Sequence, residues 1–172
     1  YLLSRYRQLS LNEIKAERNS KMFETIREVS NAWSTANDEA LSYSDVADED
    51  ETLGNLLERI YASLERDQYI DFSLMIRLAV EELERNSPAI NQALNGVRHI
   101  LVDEYQDVNP IQERLIRQLR ERADSLMVVG DDDQSIYAWR GADVNNILSF
   151  QERYPQSSVH ILSTNFRSTA AI

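Results

Sequence analysis

The stretch HILVDEYQDVNPIQERLIRQL, residues 99–119, predicts a buried strand followed directly by a helix. A short apolar run that is closed by two carboxylates is typical of a strand buried in a parallel sheet. Asn109 and Pro110 then suit a helix N-cap and first helical position, and Gln112 completes a capping box. Helical spacing predicts a buried stripe along this helix, formed by Ile111, Leu115, Ile116 and Leu119.

The same alternation continues towards the end of the chain. SLMVVGD (125–131) predicts a second strand, and VNNILSFQERY (144–154) predicts a helix that ends at Pro155. SVHILST (158–164) predicts a third strand. Strands that alternate with helices indicate an α/β fold with a parallel sheet.

Residues 1 to about 98 have a different, helical pattern. LNEIKAERNSKMFETIREV (11–29) has apolar residues near helical spacing, and ETLGNLLERIYASLERD (51–67) has a clear apolar stripe. FSLMIRLAVEELERN (72–86) predicts a further helix, which the Ser87-Pro88 pair terminates. Residues 31–52 lack a firm period and are acid-rich, so we interpret them mostly as loop or a ragged helix end.

Composition and charge limit the class of protein. The 172 residues are 42% hydrophobic and 27% charged, as in soluble globular proteins, and carry a formal net charge of −11. No apolar run approaches the roughly 20 residues that cross a bilayer, so we expect no membrane partner. The chain has no cysteine, which fits a reducing compartment, and we expect a cytoplasmic protein.

The acidic balance does not exclude nucleic acid as a partner. Seven acidic residues and no Lys or Arg lie between Asp38 and Glu51, so much of the negative charge belongs to one segment. A local groove of the opposite sign remains compatible with that distribution.

Polar residues follow each of the three predicted strands. In open parallel sheets, ligands bind beyond the carboxyl ends of the strands. We therefore predict one site built from three separate segments: Asp103-Glu104, Asp131 to Gln134, and Asn165-Phe166-Arg167.

Each candidate residue has a chemical and a plain structural interpretation. Of Asp103 and Glu104, one carboxylate suits Mg²⁺ and the other suits the activation of water, but such pairs also occur as solvated junctions. Asp131, Asp132 and Asp133 fit either a metal cluster or a solvated turn. Gln134 and Arg167 suit contacts to phosphate but are also ordinary surface residues. His99 and His160 are interpreted as structural.

The loop between the second strand and the next helix has an aromatic and cationic composition. Tyr137 and Trp139 are two residues apart, so in an extended loop both face the same way and suit stacking with nucleic-acid bases. Packing in a core is the alternative interpretation. Arg140 favours the nucleic-acid interpretation, because a guanidinium pairs with phosphate and also stacks.

Together these motifs closely resemble the UvrD/Rep/PcrA family of superfamily 1 DNA helicases. ILVDEYQDVNPIQ (100–112) resembles the family's motif II, VGDDDQSIYAWRGAD (129–143) its motif III, and LSTNFRST (162–169) its motif IV. YIDFSLMI (69–76) resembles the segment that leads back into the first motor domain. The resemblance implies a partial RecA-like motor domain with a parallel sheet over residues 69–172, preceded by a mostly α-helical insertion over residues 1–68.

The resemblance also implies ATP and Mg²⁺ as cofactors and single-stranded and duplex DNA as partners. Asp103 would bind Mg²⁺, and Glu104 would activate the attacking water. Gln134 and Arg167 would contact the γ-phosphate, and Phe166, where the family more often has Tyr, would pack against the adenine. The residues along single-stranded DNA would be Tyr137, Trp139 and Arg140.

One departure from the family is large. The family's phosphate-binding loop, GxxxxGK[ST], is missing from these 172 residues, which hold four glycines and no lysine after Lys21. We therefore expect a fragment of a 3′-to-5′ helicase whose phosphate loop lies before residue 1, and which is inactive alone. A motor domain without its first strand would expose apolar surface and a sheet edge, which favours self-association.

Three alternatives remain open at the level of sequence. The first is a non-catalytic single-stranded-DNA-binding module that derives from a helicase, and the second is the motor part of a helicase–nuclease. The third is a metal-dependent hydrolase that uses Asp103, Glu104 and Asp131 directly, although it leaves Trp139 and Arg167 without a role.

Overall fold

The computed structural model describes residues 1–135 and 143–169. Within these residues the chain forms two β-strands, β1 (His99–Val102) and β2 (Ser125–Val128), and two short 3₁₀ turns, Tyr105–Asp107 and Asp132–Gln134. The helices in the same residues are α1 (Leu11–Glu17), α2 (Met22–Asp38), α3 (Tyr43–Glu49), α4 (Glu51–Asp67), α5 (Phe72–Arg85), α6 (Pro88–Ala93), α7 (Pro110–Arg120), α8 (Asn145–Leu148) and α9 (Phe150–Arg153).

The first five helices enclose the larger of the two hydrophobic cores that the described residues form. The predicted helices over 51–67 and 72–86 are confirmed as α4 and α5. The apolar stripe of α4 faces inward because its leucines and isoleucine recur at helical spacing. This core contains Leu11, Ile14, Val29, Trp33, Leu56, Leu57, Ile60, Leu64 and Leu74.

The interpretation of residues 31–52 as mostly loop is wrong. The helix α2 continues to Asp38 because Trp33, Ala36 and Asn37 extend its buried face, and α3 follows. Two of the acidic residues that obscured the pattern serve as caps. The Asp45 carboxylate accepts a hydrogen bond from the backbone of Ser42 in a capping box, and Asp50 accepts from Leu53 N at 2.9 Å.

The single helical pattern predicted over residues 11–29 is also interrupted. Two helices form there because Asn19 adopts φ 48°, in the left-handed region that asparagine tolerates better than most residues. The chain reverses at this point, so α1 and α2 pack against each other.

Strands β1 and β2 form a parallel pair, as the sequence predicts. The register places His99 opposite Ser125 and Val102 opposite Val128. Helix α7 lies between them in the chain, with the predicted capping box between Asn109 and Gln112 confirmed. The second core lies against one face of this pair and contains Tyr105, Val108 and Ile116, with Val102, Leu126, Val128, Ile147 and Phe150 packed around them. The coarse prediction of helices followed by an α/β region is confirmed.

The third strand, predicted over residues 158–164, is wrong. Residues 157–166 have no regular secondary structure, and the sheet of the described residues has two strands. A strand needs a partner edge for its backbone groups, and no described backbone hydrogen bond joins this segment to β1 or β2. Its apolar side chains therefore stay in solvent, with Ile161 86% exposed.

The predicted helix over residues 144–154 forms as two short pieces, α8 and α9. Ser149 separates them, with φ −94° and ψ 12°, and the helical segment ends before Pro155 as expected. Among the described helices, none has the length and apolarity that crossing a membrane requires.

Helix α5 joins the helical region to the strands. The Trp33 indole N–H donates to the Asp71 carboxylate at 2.6 Å at the start of α5, and the Arg77 guanidinium donates to the Leu41 carbonyl at 2.7 Å. On its other side α5 packs along α7, where Arg114 donates twice to Glu84, at 2.6 and 2.8 Å. Helix α5 thus connects the two cores, and α2 also contacts α7.

Candidate functional site

The ends of β1 and β2 bring two of the three predicted polar segments together. Because Val102 pairs with Val128, the chain leaves both strands at the same edge of the sheet. The ladder then continues for one more step, since Tyr105 N donates to the Val129 carbonyl at 2.9 Å. We call residues 103–108 and 129–135 the strand-end site.

Glu104 has an unusual backbone conformation in this site. Its φ of 51° and ψ of 43° lie in the left-handed region, which costs a residue with a Cβ roughly 1–2 kcal/mol. Two neighbours hold this conformation: the Asp103 carboxylate accepts from Glu104 N at 2.9 Å, and Asp107 N donates to the Glu104 carbonyl at 2.9 Å. The Asp103 and Glu104 side chains both reach solvent, as metal or water chemistry would require.

Gln106 is a buried residue of the site that the sequence interpretation missed. It is 1% exposed, and its amide nitrogen donates to the Glu104 carboxylate at 2.7 Å. Its amide oxygen accepts from Asp131 N at 3.1 Å. One side chain therefore connects the segment after β1 with the segment after β2. The only signal in the sequence was its position two residues after Glu104.

Gly130 allows the segment after β2 to lie close to the Gln106 side chain. A Cβ at Gly130 would lie 2.7 Å from the Gln106 amide oxygen and 2.8 Å from the Ile147 side chain. Any larger residue would have to displace these two side-chain ends, so glycine lets the backbone of the second segment lie against Gln106 as it stands.

Asp131 acts as the cap of a turn. Its carboxylate accepts from Asp133 N at 3.2 Å and from the Gln134 amide at 2.5 Å. Asp132, Asp133 and Gln134 are exposed around it. Of the two interpretations of the aspartate run, the turn therefore agrees with the contacts.

A three-carboxylate metal centre does not form in this part of the chain. Across residues 1–135 and 143–169, no group of three or more His, Cys, Asp or Glu side chains could hold a metal ion. The alternative in which Asp103, Glu104 and Asp131 bind a metal together is therefore wrong, because Asp131 is engaged in its turn. A single exposed carboxylate such as Asp103 still suits Mg²⁺, which keeps several waters and takes other ligands from substrate phosphates.

A buried polar network lies behind the strand-end site. The Tyr105 hydroxyl donates to the Glu113 carboxylate at 2.6 Å, and Arg153 donates to the other oxygen of Glu113 at 2.7 Å. Arg153 also donates to the side chain and carbonyl of Asn146, whose amide donates to the Val108 carbonyl at 3.0 Å. Burial, followed by the acceptor Glu113, raises the pKa of Tyr105.

Hydrogen bonds hold the chain on both sides of residues 136–142. Asp131 is held by Gln106 before that segment, and Asp143 N donates to the Val108 carbonyl at 3.3 Å after it. Tyr137, Trp139 and Arg140, the predicted DNA contacts, lie outside the described residues.

The third predicted segment is not joined to the other two. The Asn165 side chain accepts from Arg167 N at 2.9 Å and Ser168 N at 3.0 Å, which makes a local turn. The Phe166 ring is 92% exposed. Among the described contacts, no hydrogen bond or ion pair connects Arg167 with Asp103, Glu104 or Gln134, because the strand that would have carried it to the sheet edge does not form.

Comparison with known proteins gives a consistent result. The family model of the UvrD/REP helicase N-terminal domain matches residues 3–155. The chain is 42% identical over 123 residues to the ATP-dependent DNA helicase PcrA of Bacillus subtilis (strain 168), which covers 72% of this chain and 17% of that protein. The PcrA of Staphylococcus epidermidis (strain RP62A) is 44% identical over 109 residues, which covers 63% of this chain and 15% of that protein.

The chain is short in comparison with these relatives. It spans between 15% and 17% of the length of these two curated proteins.

Proposed function

Because this chain belongs to the UvrD/REP helicase family, we propose that it is part of an ATP-dependent DNA helicase and holds one side of the ATP site. The observation that carries this proposal is the meeting of Asp103-Glu104 and Asp131–Gln134 at one sheet edge, bridged by Gln106. Residues 1–68 would be a helical insertion and residues 69–172 the latter part of the first RecA-like motor domain.

The proposed chemistry is the transfer of the γ-phosphoryl group of ATP to water. Asp103 would hold Mg²⁺, which when bound neutralises charge on the phosphates. Glu104 would orient the attacking water and accept its proton as the new P–O bond forms and the bond to the leaving ADP oxygen breaks. Gln134 would contact the γ-phosphate, and its hydrogen bond to Asp131 supports a fixed position for that amide.

The remaining assignments rest on the motif resemblance. Arg167 would contact the γ-phosphate and Phe166 the adenine, from a segment whose exposed side chains leave both free to meet a ligand. Tyr137, Trp139 and Arg140 would contact single-stranded DNA, and the parent protein would translocate from 3′ to 5′ and unwind duplex DNA. The short connection from Gln134 to these residues would link the state of ATP to the grip on DNA.

The test is the substitution Glu104→Gln in a longer protein that contains this chain. Mg²⁺-dependent ATP hydrolysis should fall by at least about 100-fold, as expected when a positioned acid–base group is removed, while ATP binding persists. The exposed Glu121, at the end of α7, provides the matched control Glu121→Gln, which should keep full turnover. Normal turnover in the Glu104→Gln protein would refute the assignment.

The 172-residue chain by itself should not hydrolyse ATP. It contains no GxxxxGK[ST] sequence, so it lacks the amides and the lysine that hold the phosphates. Release of phosphate from Mg²⁺-ATP by the purified chain, above a Glu104→Gln control, would contradict this expectation.

A further inference from the structure

We propose that Gln106 is a positioning residue for ATP hydrolysis, which holds the Glu104 carboxylate and ties it to the backbone of Asp131. This inference rests on the proposed function of Glu104. Gln106 itself would touch neither nucleotide nor metal. It would act through Glu104.

The two hydrogen bonds of Gln106 require an amide at this position. A glutamate carboxylate only accepts hydrogen bonds, so the donor at 2.7 Å from Glu104 is the NH₂ group. A backbone N–H only donates, so the group at 3.1 Å from Asp131 N is the amide oxygen. No other neutral side chain of this length offers a donor and an acceptor together.

Burial makes these contacts energetically important. Gln106 is 1% exposed, and a buried polar group without a partner costs about 1–3 kcal/mol. Both the NH₂ group and the oxygen of the Gln106 amide have a hydrogen-bond partner. They connect two segments that lie 25 residues apart in the chain. Gly130 leaves the space for the amide oxygen, because a Cβ there would approach it to 2.7 Å.

Glu104 is the residue that needs such a partner. Its carboxylate is exposed and its long side chain has several rotamers, so an unsupported carboxylate would seldom point at the attacking water. Within residues 1–135 and 143–169, the described side-chain hydrogen bond to this carboxylate comes from Gln106. Orientation of a reacting group lowers the barrier to reaction, so loss of the bond should reduce turnover.

Two substitutions separate positioning from simple structural support. Gln106→Met keeps the volume and removes both hydrogen bonds. Gln106→Glu keeps an acceptor for Asp131 N but places a second carboxylate against Glu104. A role limited to anchoring Asp131 would survive Gln106→Glu, whereas a role in positioning Glu104 would not.

Asn37, on α2 and outside the strand-end site, offers a matched control. It is another fully buried amide with two described hydrogen bonds, donating to the Trp33 carbonyl at 2.8 Å and accepting from the Tyr43 hydroxyl at 3.0 Å. Asn37→Leu should lower thermal stability without changing the kinetics of hydrolysis. This variant therefore shows how the loss of a buried amide outside the site affects stability and hydrolysis.

The experiment compares these variants in a longer protein that contains the chain. Gln106→Met and Gln106→Glu should both lower kcat about 10- to 100-fold, the usual effect of losing a group that orients a catalytic one. The KM for ATP and the affinity for a non-hydrolysable ATP analogue should stay at wild-type values, and Asn37→Leu should keep wild-type kcat.

The outcomes distinguish this inference from the proposed function. If wild type hydrolyses ATP, Glu104→Gln does not, and Gln106→Met has wild-type kcat, the positioning role is wrong and the site assignment stands. Wild-type kcat in Gln106→Glu alone would reduce Gln106 to an anchor of Asp131 and likewise overturn the inference. If the Glu104→Gln protein hydrolyses ATP normally, the proposed role of Glu104 is wrong, and the positioning role of Gln106 is wrong with it.

Discussion

The helical region (α1 to α5) and the strand region (β1 and β2 with α7 to α9 and the segment that follows) bury their apolar residues to very different degrees. In the helical region Leu11, Ile14, Leu56 and Leu57 are 0% exposed. In the two-stranded sheet, Leu101 of β1 is 73% exposed, and Leu162 in the segment after α9 is 87% exposed. Helices made from consecutive residues can enclose a core among themselves, whereas a sheet needs strands and covering layers on both faces.

The strand region replaces part of the missing apolar core with a buried polar network. Glu113 is 4% exposed, yet it carries hydrogen bonds from Tyr105 and Arg153. Ion pairs in the helical region, such as Arg59 with Glu13 at 2.9 Å, lie at the surface instead. The two regions thus depend on different interactions, which substitutions can separate.

The largest expected contrast is between two leucines. Leu56→Ala should lower the free energy of unfolding of the chain by about 2–5 kcal/mol, because it leaves a cavity in the helical core. Leu101→Ala should change it by less than about 0.5 kcal/mol, because the side chain is already in solvent. Urea unfolding followed by circular dichroism measures both. Equal losses would show that another surface covers the sheet face in solution.

The next contrast is between two ion pairs. Arg153→Met should cost about 3 kcal/mol, near the low end for breaking a buried pair, since Arg153 is itself 26% exposed. Arg59→Met, which removes a surface pair, should cost at most about 1 kcal/mol. The same unfolding assay applies. A cost for Arg153→Met no greater than for Arg59→Met would mean that the network does not stabilise the strand region.

The smallest effect concerns Tyr43 in the helical core. Burial raises the pKa of Tyr43 to about 12, so the folded state keeps its proton longer than the unfolded state does. The stabilisation that depends on this proton is complete below pH 10 and is lost as the pH rises towards 12.

Tyr43→Phe removes both the proton and the hydrogen bond to Asn37. Below pH 10 it should lower the free energy of unfolding by about 1 kcal/mol, and this difference from wild type should shrink between pH 10 and 12. Urea unfolding at several pH values measures the difference, with Tyr61→Phe as the control. A difference that grows with pH would contradict the expected sign.

Local signals account for the parts of the fold that the sequence predicted. Helices α4, α5 and α7, the capping box at Asn109, and the order of β1, α7 and β2 depend on contacts between near neighbours in the chain. The failures have long-range causes. The predicted strand over 158–164 does not pair with an edge of the described sheet. The predicted loop over 31–52 is largely helical because Trp33 and Tyr43 are buried in the helical core.

The candidate site divides in the same way. The sequence motifs alone were sufficient to indicate the family, which the comparisons confirm, and to name Asp103, Glu104 and Gln134 as candidates. Their catalytic roles remain predictions. Gln106 carried no signal beyond its position two residues after Glu104, and the Glu113–Arg153 pair carried none, because a glutamine, a glutamate or an arginine is ordinarily exposed.

The sequence by itself determined helices α4, α5 and α7, the strands β1 and β2, and the polar residues that follow these two strands, because these depend on the spacing of residues close in the chain. Only the tertiary structure decided which of those residues meet. The register of β1 and β2 brings Asp131 to Gln106, and the packing of α9 on α7 buries Glu113 beneath Arg153. Such contacts join residues 25 and 40 positions apart, and their energy depends on burial that no local pattern specifies.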